Sequence, residues 1–152
     1  MDFHIRAANA DDAAAISAVI IAALRETNAR DYPENVIRKI EQSFGPAEVE
    51  EMLNRRKVFV ALREAQVIGT ASLDGRTVRT VFVAPSAQGQ GAGKLLMAEI
   101  ERAAREAGVE TLAVSSSITA ENFYLKLGFK PVRDSYYGEE RTVIMERSLA
   151  TA

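Results

Sequence analysis

The chain has 152 residues, 47% hydrophobic and 26% charged, which suits one globular domain spanning 1–152 and leaves no room for two independent cores. With 19 Lys and Arg against 21 Asp and Glu, the net charge is -2 and the pI about 5.5, so no basic excess exists for non-specific nucleic-acid binding. The absence of cysteine excludes disulfides, thiolate zinc sites and a catalytic Cys, and the single histidine, His4, excludes a two-His metal site within one subunit; no metal is expected.

The first element is a short strand, His4 to Arg6, followed by Asn9, Asp11 and Asp12, an acidic helix start. Ile16, Val19, Ile20, Ala23 and Leu24 then recur at helical spacing. This apolar run is too short to span a bilayer and ends at Arg25 and Glu26; with no basic leader before it, a cytoplasmic protein without membrane partners is expected. Asp31 to Glu34 opens a second helix with Val36, Ile37 and Ile40 inward, Gly45-Pro46 breaks it, and Val49, Met52 and Leu53 mark a third. Val58 to Leu62, Val67 to Leu73 and Val78 to Val83 read as three strands of an antiparallel meander, with Asp74-Gly75 as a hairpin signal. A long amphipathic helix follows, with Leu96, Ile100, Ala103 and Ala107 on one side, up to Gly108. Thr111 to Val114 is a buried strand, Thr119 to Leu127 a helix, and Phe129 to Val132 and Arg141 to Glu146 two closing strands. The order predicts a mixed α/β domain. The final strand, Thr142 to Met145, either closes the subunit's own sheet, the simpler reading, or pairs across a homodimer.

Chemistry concentrates between Val81 and Lys94, where a strand runs into Gln88-Gly89-Gln90-Gly91-Ala92-Gly93 and that loop opens the long helix. Free N–H groups at a helix start and aligned peptide dipoles favour a phosphate, and glycines let backbone approach it. Read from its glycines alone, the loop either cradles a phosphate or simply joins strand to helix. The GxxxxGK[ST] pattern fails because Gly89 and Gly93 are wrongly spaced and Leu95 replaces the hydroxyl residue; GxGxxG fails at Lys94. Read likewise without other support, Tyr124 is an amphipathic packing residue.

Gln88 to Gly93 matches [QR]-x-x-G-x-[GA], the apolar stretch Val81-Phe82-Val83-Ala84-Pro85 precedes it, and Ala120 to Phe129 matches A-x-x-F-Y-x-K-x-G-F. In these blocks and their order the chain resembles the GNAT superfamily of acetyl-CoA-dependent N-acetyltransferases. The resemblance is good over 57–133 and implies a mostly antiparallel twisted sheet flanked by helices, with splayed central strands. It implies that Val81, Phe82 and Val83 offer backbone hydrogen bonds to the pantetheine arm, that Gln88, Gly89, Gln90, Gly91, Ala92, Gly93 and Lys94 cradle the pyrophosphate, and that Asn122 touches the arm. Tyr124 corresponds to the family tyrosine that protonates the departing thiolate. The implied activity is direct acetyl transfer from acetyl-CoA, the cosubstrate, to a primary amine of a small molecule or peptide. The alternative is a non-catalytic acyl-CoA-binding module.

Two departures bear on this. The family often has a Glu on the central strand as general base, but Thr77, Val78, Arg79 and Thr80 include no carboxylate, and neither Asp74 nor His4 is assigned the role. Where relatives often carry an Asn, this chain has Ser117, whose hydroxyl takes over the contact to the CoA arm. The acceptor side is expected from 25–56 and the loop 134–138, with Tyr32, Tyr136 and Tyr137 as pocket candidates. Glu34, Glu41 and Glu48 there either attract a cation or form a solvated face.

Overall fold

The computed structural model describes residues 3–149. β1 (His4–Ala7) leads through a 3₁₀ turn into α1 (Ala13–Glu26). That turn is fixed by a reciprocal cap: Asn9 Oδ1 accepts from Asp11 N at 3.0 Å, and Asn9 N donates to Asp12 Oδ2 at 2.8 Å. Arg6 forks onto the same carboxylate at 2.8 and 3.0 Å and holds it below the usual range, tying β1 to α1. Next come α2 (Glu34–Gln42) and α3 (Pro46–Arg55), then β2 (Lys57–Arg63), β3 (Gln66–Asp74) and β4 (Thr77–Val83). The chain closes with α4 (Ala92–Glu106), β5 (Thr111–Ser117), α5 (Glu121–Lys126), β6 (Lys130–Tyr137) and β7 (Glu140–Ser148).

The strands form one sheet in the order β1-β2-β3-β4-β5-β7-β6, antiparallel throughout except for β4 beside β5. Both faces are covered. In β2 the strand period of two sends Val58 and Val60 into a core with Ile16, Ile20, Ile37 and Val49 of α1–α3. Phe59 and Ala61 go to the other face, against Leu96 and Ile100 of α4 and Phe129. A run of buried apolar residues without alternation follows from having helices on both sides.

All seven expected strands and five helices are present, with shifted limits. β5 runs three residues past the expected Val114 because Ser115, Ser116 and Ser117 pair with Ile144, Val143 and Thr142 of β7. β6 takes up Asp134 to Tyr137, expected as a loop, because β7 supplies the ladder along its length. Thr142 to Met145 close the subunit's own sheet, the simpler of the two readings: β7 lies between β5 and β6 and both its edges are used, so the dimer-edge alternative falls. Among the described residues no helix is long and apolar enough to cross a membrane.

Candidate active site

The parallel pairing of β4 with β5 is confined to Thr77 opposite Ala113 and Val78 opposite Val114; beyond these the strands part. Ala84 N donates to Ile68 O at 2.8 Å, so by strand alternation Phe82 faces β3 while the main-chain groups of Val81 and Val83 face the opening. A bulge marks the divergence. Ser72 opposes Arg79 and Thr70 opposes Phe82, so β4 spends one extra residue there, and Thr80 adopts φ 58°. For a β-branched residue that backbone is strained by about 1–3 kcal/mol, a cost tolerated where a strand must be re-aimed.

β4 points this open edge at the start of α4. Gly91 is the N-cap at φ 93°, no side chain caps the helix, and the first N–H groups of a 15-residue helix are left to the space in front of them. A Cβ built at Gly89 or Gly91 meets nothing within 4 Å, so the glycines border open space. Gly93 differs: its Cβ would come within 3.2 Å of the Phe123 ring, so this glycine lets α4 close onto α5. Open and donor-rich, with no Cβ at Gly89 or Gly91 to fill it, the cradle fits a diphosphate.

Two cavities meet at the opening. The smaller, about 430 Å³, is lined by Val83, Gln88, Gly89, Gly91, Ala92, Gly93 and Lys94. The larger, about 510 Å³, extends under α1 and α2 to the β6–β7 turn. Asn28, Val81, Phe82, Ser117 and Ala120 line both, so the cavities are one cleft through the split in the sheet.

The sequence candidates divide accordingly. Val81, Phe82, Val83, Gln88, Gly89, Gly91, Ala92, Gly93, Lys94 and Ser117 stand on the walls of the smaller cavity. Gln88 also braces it, donating from Nε2 to Val83 O at 3.1 Å and to Thr27 Oγ1 at 3.2 Å. The Ser117 hydroxyl accepts from Ala120 N at 3.2 Å, shaping the turn into α5. Gln90 and Asn122 line neither cavity. The Gln90 side chain accepts from Arg63 at 2.9 Å, and Asn122, two positions and so about 200° around the helix from Tyr124, is exposed.

Tyr124 lines the larger cavity while its ring is clamped edge-on between Phe123 and Phe129, at centroid distances of 5.1 and 5.6 Å. Burial pushes its phenol well above the usual tyrosine range, so the proton stays on at neutral pH. Tyr32 lines the same cavity as a strut: its hydroxyl donates to Arg141 O at 2.6 Å and accepts from Ile118 N at 2.9 Å. Tyr137 and Tyr136 are both exposed, and of the two only Tyr137 lines the cavity. Glu34 and Glu41 are engaged by Arg25 at 2.6 and 2.5 Å, and Glu48 is exposed, so these three lie on a solvated face.

Polar wall residues that the sequence reading did not single out include Arg79 and Glu140, as well as Asn28 and Arg56 within the stretch 25–56 expected on the acceptor side. Among the described residues Glu140 is the one carboxylate on the wall of the larger cavity, and burial raises it above the usual range against the pull of Lys39. Its only sequence signal was a place beside a hairpin turn. Asp74 pairs with Arg79 at 3.3 Å, and His4 is exposed on the far edge strand, three strands from β4.

The family profile of the acetyltransferase (GNAT) domain matches residues 28–146. The chain belongs to the GNAT acetyltransferases. A [ribosomal protein bS18]-alanine N-acetyltransferase of Haemophilus influenzae is 38% identical over 93 residues, 53% of this chain and 64% of that protein. An uncharacterised N-acetyltransferase of Gracilaria tenuistipitata is 32% identical over 90 residues, 59% of this chain and 48% of that protein. The chain thus matches less than two thirds of either relative's length. The GNAT fold is shared with a GCN5-related N-acetyltransferase structure from Rhodopseudomonas palustris, TM-score 0.92 at 24% identity over 98% of this chain and 97% of that one. It is shared too with PaiA N-acetyltransferase of Thermoplasma acidophilum in complex with coenzyme A, TM-score 0.82 at 20% identity over 97% and 99%.

Proposed function

We propose that this GNAT chain transfers an acetyl group from acetyl-CoA to a primary amine by direct attack. The observation that carries the reading is the continuity of one cleft: an open β4 edge running into an uncapped helix start, with a buried tyrosine hydroxyl in the adjoining cavity. The T. acidophilum neighbour, solved with coenzyme A, supports a coenzyme A ligand for a chain of this fold.

Acetyl-CoA supplies the acetyl group as a thioester. The main-chain groups of Val81 and Val83 bind its arm as an added strand, and the N–H groups from Gly89 to Lys94 hold the diphosphate. The N–H near Val83 polarises the carbonyl oxygen. Holding amine and thioester together in a near-attack geometry supplies much of the rate. An ammonium cannot attack, so its proton leaves first, and Glu140 is the carboxylate in the acceptor cavity able to take it directly or through water. The C–N bond forms as the C–S bond breaks; Tyr124 gives its proton to the sulfur as negative charge develops there, and the proton shed by the attacking nitrogen returns to the phenol oxygen through water.

Calorimetry with CoA and acetyl-CoA, followed by thiol release over an amine panel, tests this. Binding with turnover of an amine is the expected result. Binding with no turnover on any amine makes the chain an acyl-CoA-binding module, and no binding removes the reading altogether.

A further inference from the structure

An ammonium and a guanidinium repel, so a cavity for a plain amine gains nothing from positive charge. Among the described residues the larger cavity nevertheless carries Arg56, Arg79 and Lys39 against Glu140 alone. Arg56 leaves the C-terminal end of α3 half-buried, with Nη1 3.2 Å from Thr80 Oγ1 and 3.4 Å from Ser72 Oγ. Both partners are neutral hydroxyls, and no salt bridge reaches Arg56 among the described residues. The charges that act on it are those of Asp74, Arg79 and Arg55, and Arg55 reaches Glu51 at 3.8 Å.

Asp74 is therefore shared. Arg79 Nε lies 3.3 Å from Asp74 Oδ2 but off the hydrogen-bonding direction, and this buried nitrogen has no hydrogen-bond partner among the described residues. Two guanidiniums face one carboxylate, and one positive charge is left over at the cavity wall. Desolvation pushes Arg56 below its ordinary value, a cost that an arriving anion relieves. The position matters too: Arg56 is hydrogen-bonded to Thr80, the residue before the open edge at Val81.

We infer that the acceptor is a small amine that also carries a carboxylate or phosphate group, with the anion held by Arg56 and Arg79 and the amine end on the Glu140 side. This deepens the acetyl-transfer reading above and rests on it. Guanidinium forks suit both anions, and a charge-assisted hydrogen bond is about twice as strong as a neutral one.

The test uses matched probes on the full chain. Amino acids are compared with their carboxamides, phosphoethanolamine with ethanolamine, and an alanine-initiated peptide is added because the H. influenzae relative is named for an alanine acceptor. Binding to the CoA-loaded protein is measured by calorimetry beside thiol release. The expected result is a preference of roughly tenfold or more for one anionic member over its neutral match in both readouts. That preference collapses in Arg56→Gln, falls in Arg79→Gln and partly survives in Arg56→Lys, while CoA affinity stays within about twofold and reports that each variant is folded. The carboxylate and phosphate arms separate the two anions. Equal binding and turnover of anionic and neutral members, or preference for the peptide, overturns the inference and leaves acetyl transfer standing. Binding of CoA with no panel member bound or turned over also overturns it, and acetyl transfer itself is then decided by the wider amine panel above. Failure of CoA itself to bind brings down the acetyl-transfer reading and this inference with it.

Discussion

The two cavities that meet at the β4–β5 fork are built from different materials. The smaller is organised around main chain: a strand edge, three glycines and the start of α4. The larger is mostly side chain, gathered from α1, α2, the end of α3, β4, β5 and the β6–β7 turn. Main-chain donors recognise a diphosphate whatever the rest of the molecule does, whereas side chains from distant segments set what the second partner can be. One wall is generic and the other specific, and substitutions on either side should separate them.

Tyr124→Phe is the strongest separation. It deletes one hydroxyl from the larger cavity and leaves the clamped ring in place. Turnover at saturating acetyl-CoA should fall about 10²-fold or more if the phenol is the general acid, with CoA affinity changed less than about twofold. Rapid-quench thiol release and calorimetry read the two quantities, and an unaltered turnover would strip Tyr124 of its acid role. Gly91→Val works from the other wall. A β-branched residue at φ 93° costs about 1–3 kcal/mol, and its side chain enters the open space of the cradle. CoA affinity should drop roughly 10- to 100-fold, while turnover at saturating cosubstrate falls far less. Lost thermal stability with CoA affinity intact would make Gly91 a turn residue only.

The same contrast explains what could be read in advance. A main-chain site needs contiguous residues, so Val81 to Lys94 displays it in one stretch of sequence, glycines included. Periodicity gave α1 and α4 because each buries a regular apolar face, and the β2–β3–β4 meander showed as short apolar runs separated by turn residues, buried on both sides. Periodicity was silent on the end of β5 and most of β6, where Ser115–Ser117 and Asp134–Tyr137 are strands through pairing with β7 and not through burial. Arg56, Arg79 and Glu140 come from three segments up to 84 positions apart, and nothing local connects them before the sheet is assembled. Asn122 and Gln90 illustrate the reverse limit: a contiguous motif names neighbours that helix and loop geometry turn away from the cleft.

Glu140→Gln asks whether the specific wall also does chemistry. Burial raises this carboxyl, so the folded state binds its proton more tightly than the unfolded chain does. Stability gained through that proton is complete below the ordinary carboxylate range and is lost as pH rises through the raised value. The glutamine variant lacks this loss. Relative to the wild type its Tm should therefore climb between acid and neutral pH, in the direction opposite to its activity. Turnover at neutral pH should drop about tenfold or more, and the acid limb of the wild-type pH profile should vanish if Glu140 takes the amine's proton. A retained acid limb assigns that proton elsewhere.

The smallest effect is expected where neither wall is touched. The β2–β3 turn places Glu64 at φ 52° and Ala65 at φ 67°, left-handed backbone that favours Asn or Gly. Ala65→Gly relieves about 1–2 kcal/mol of steric cost but adds about 0.5–1 kcal/mol of chain entropy to the unfolded state, so the net gain is about 0.5–1 kcal/mol. For a domain of this size that raises Tm by roughly 1–4 °C. CoA affinity and turnover should both stay at the wild-type level, because strain in a remote hairpin has no part in either wall. Thr80, at φ 58° on the bulge of β4, carries the same kind of strain inside the cleft. Thr80→Gly relieves it as well, yet removes the hydroxyl that holds Arg56 and loosens the edge beside Val81. Comparable stabilisation in the two variants with lost turnover only in Thr80→Gly would establish that the bulge is retained for the site. Equal turnover in both would reduce it to a local irregularity of the sheet.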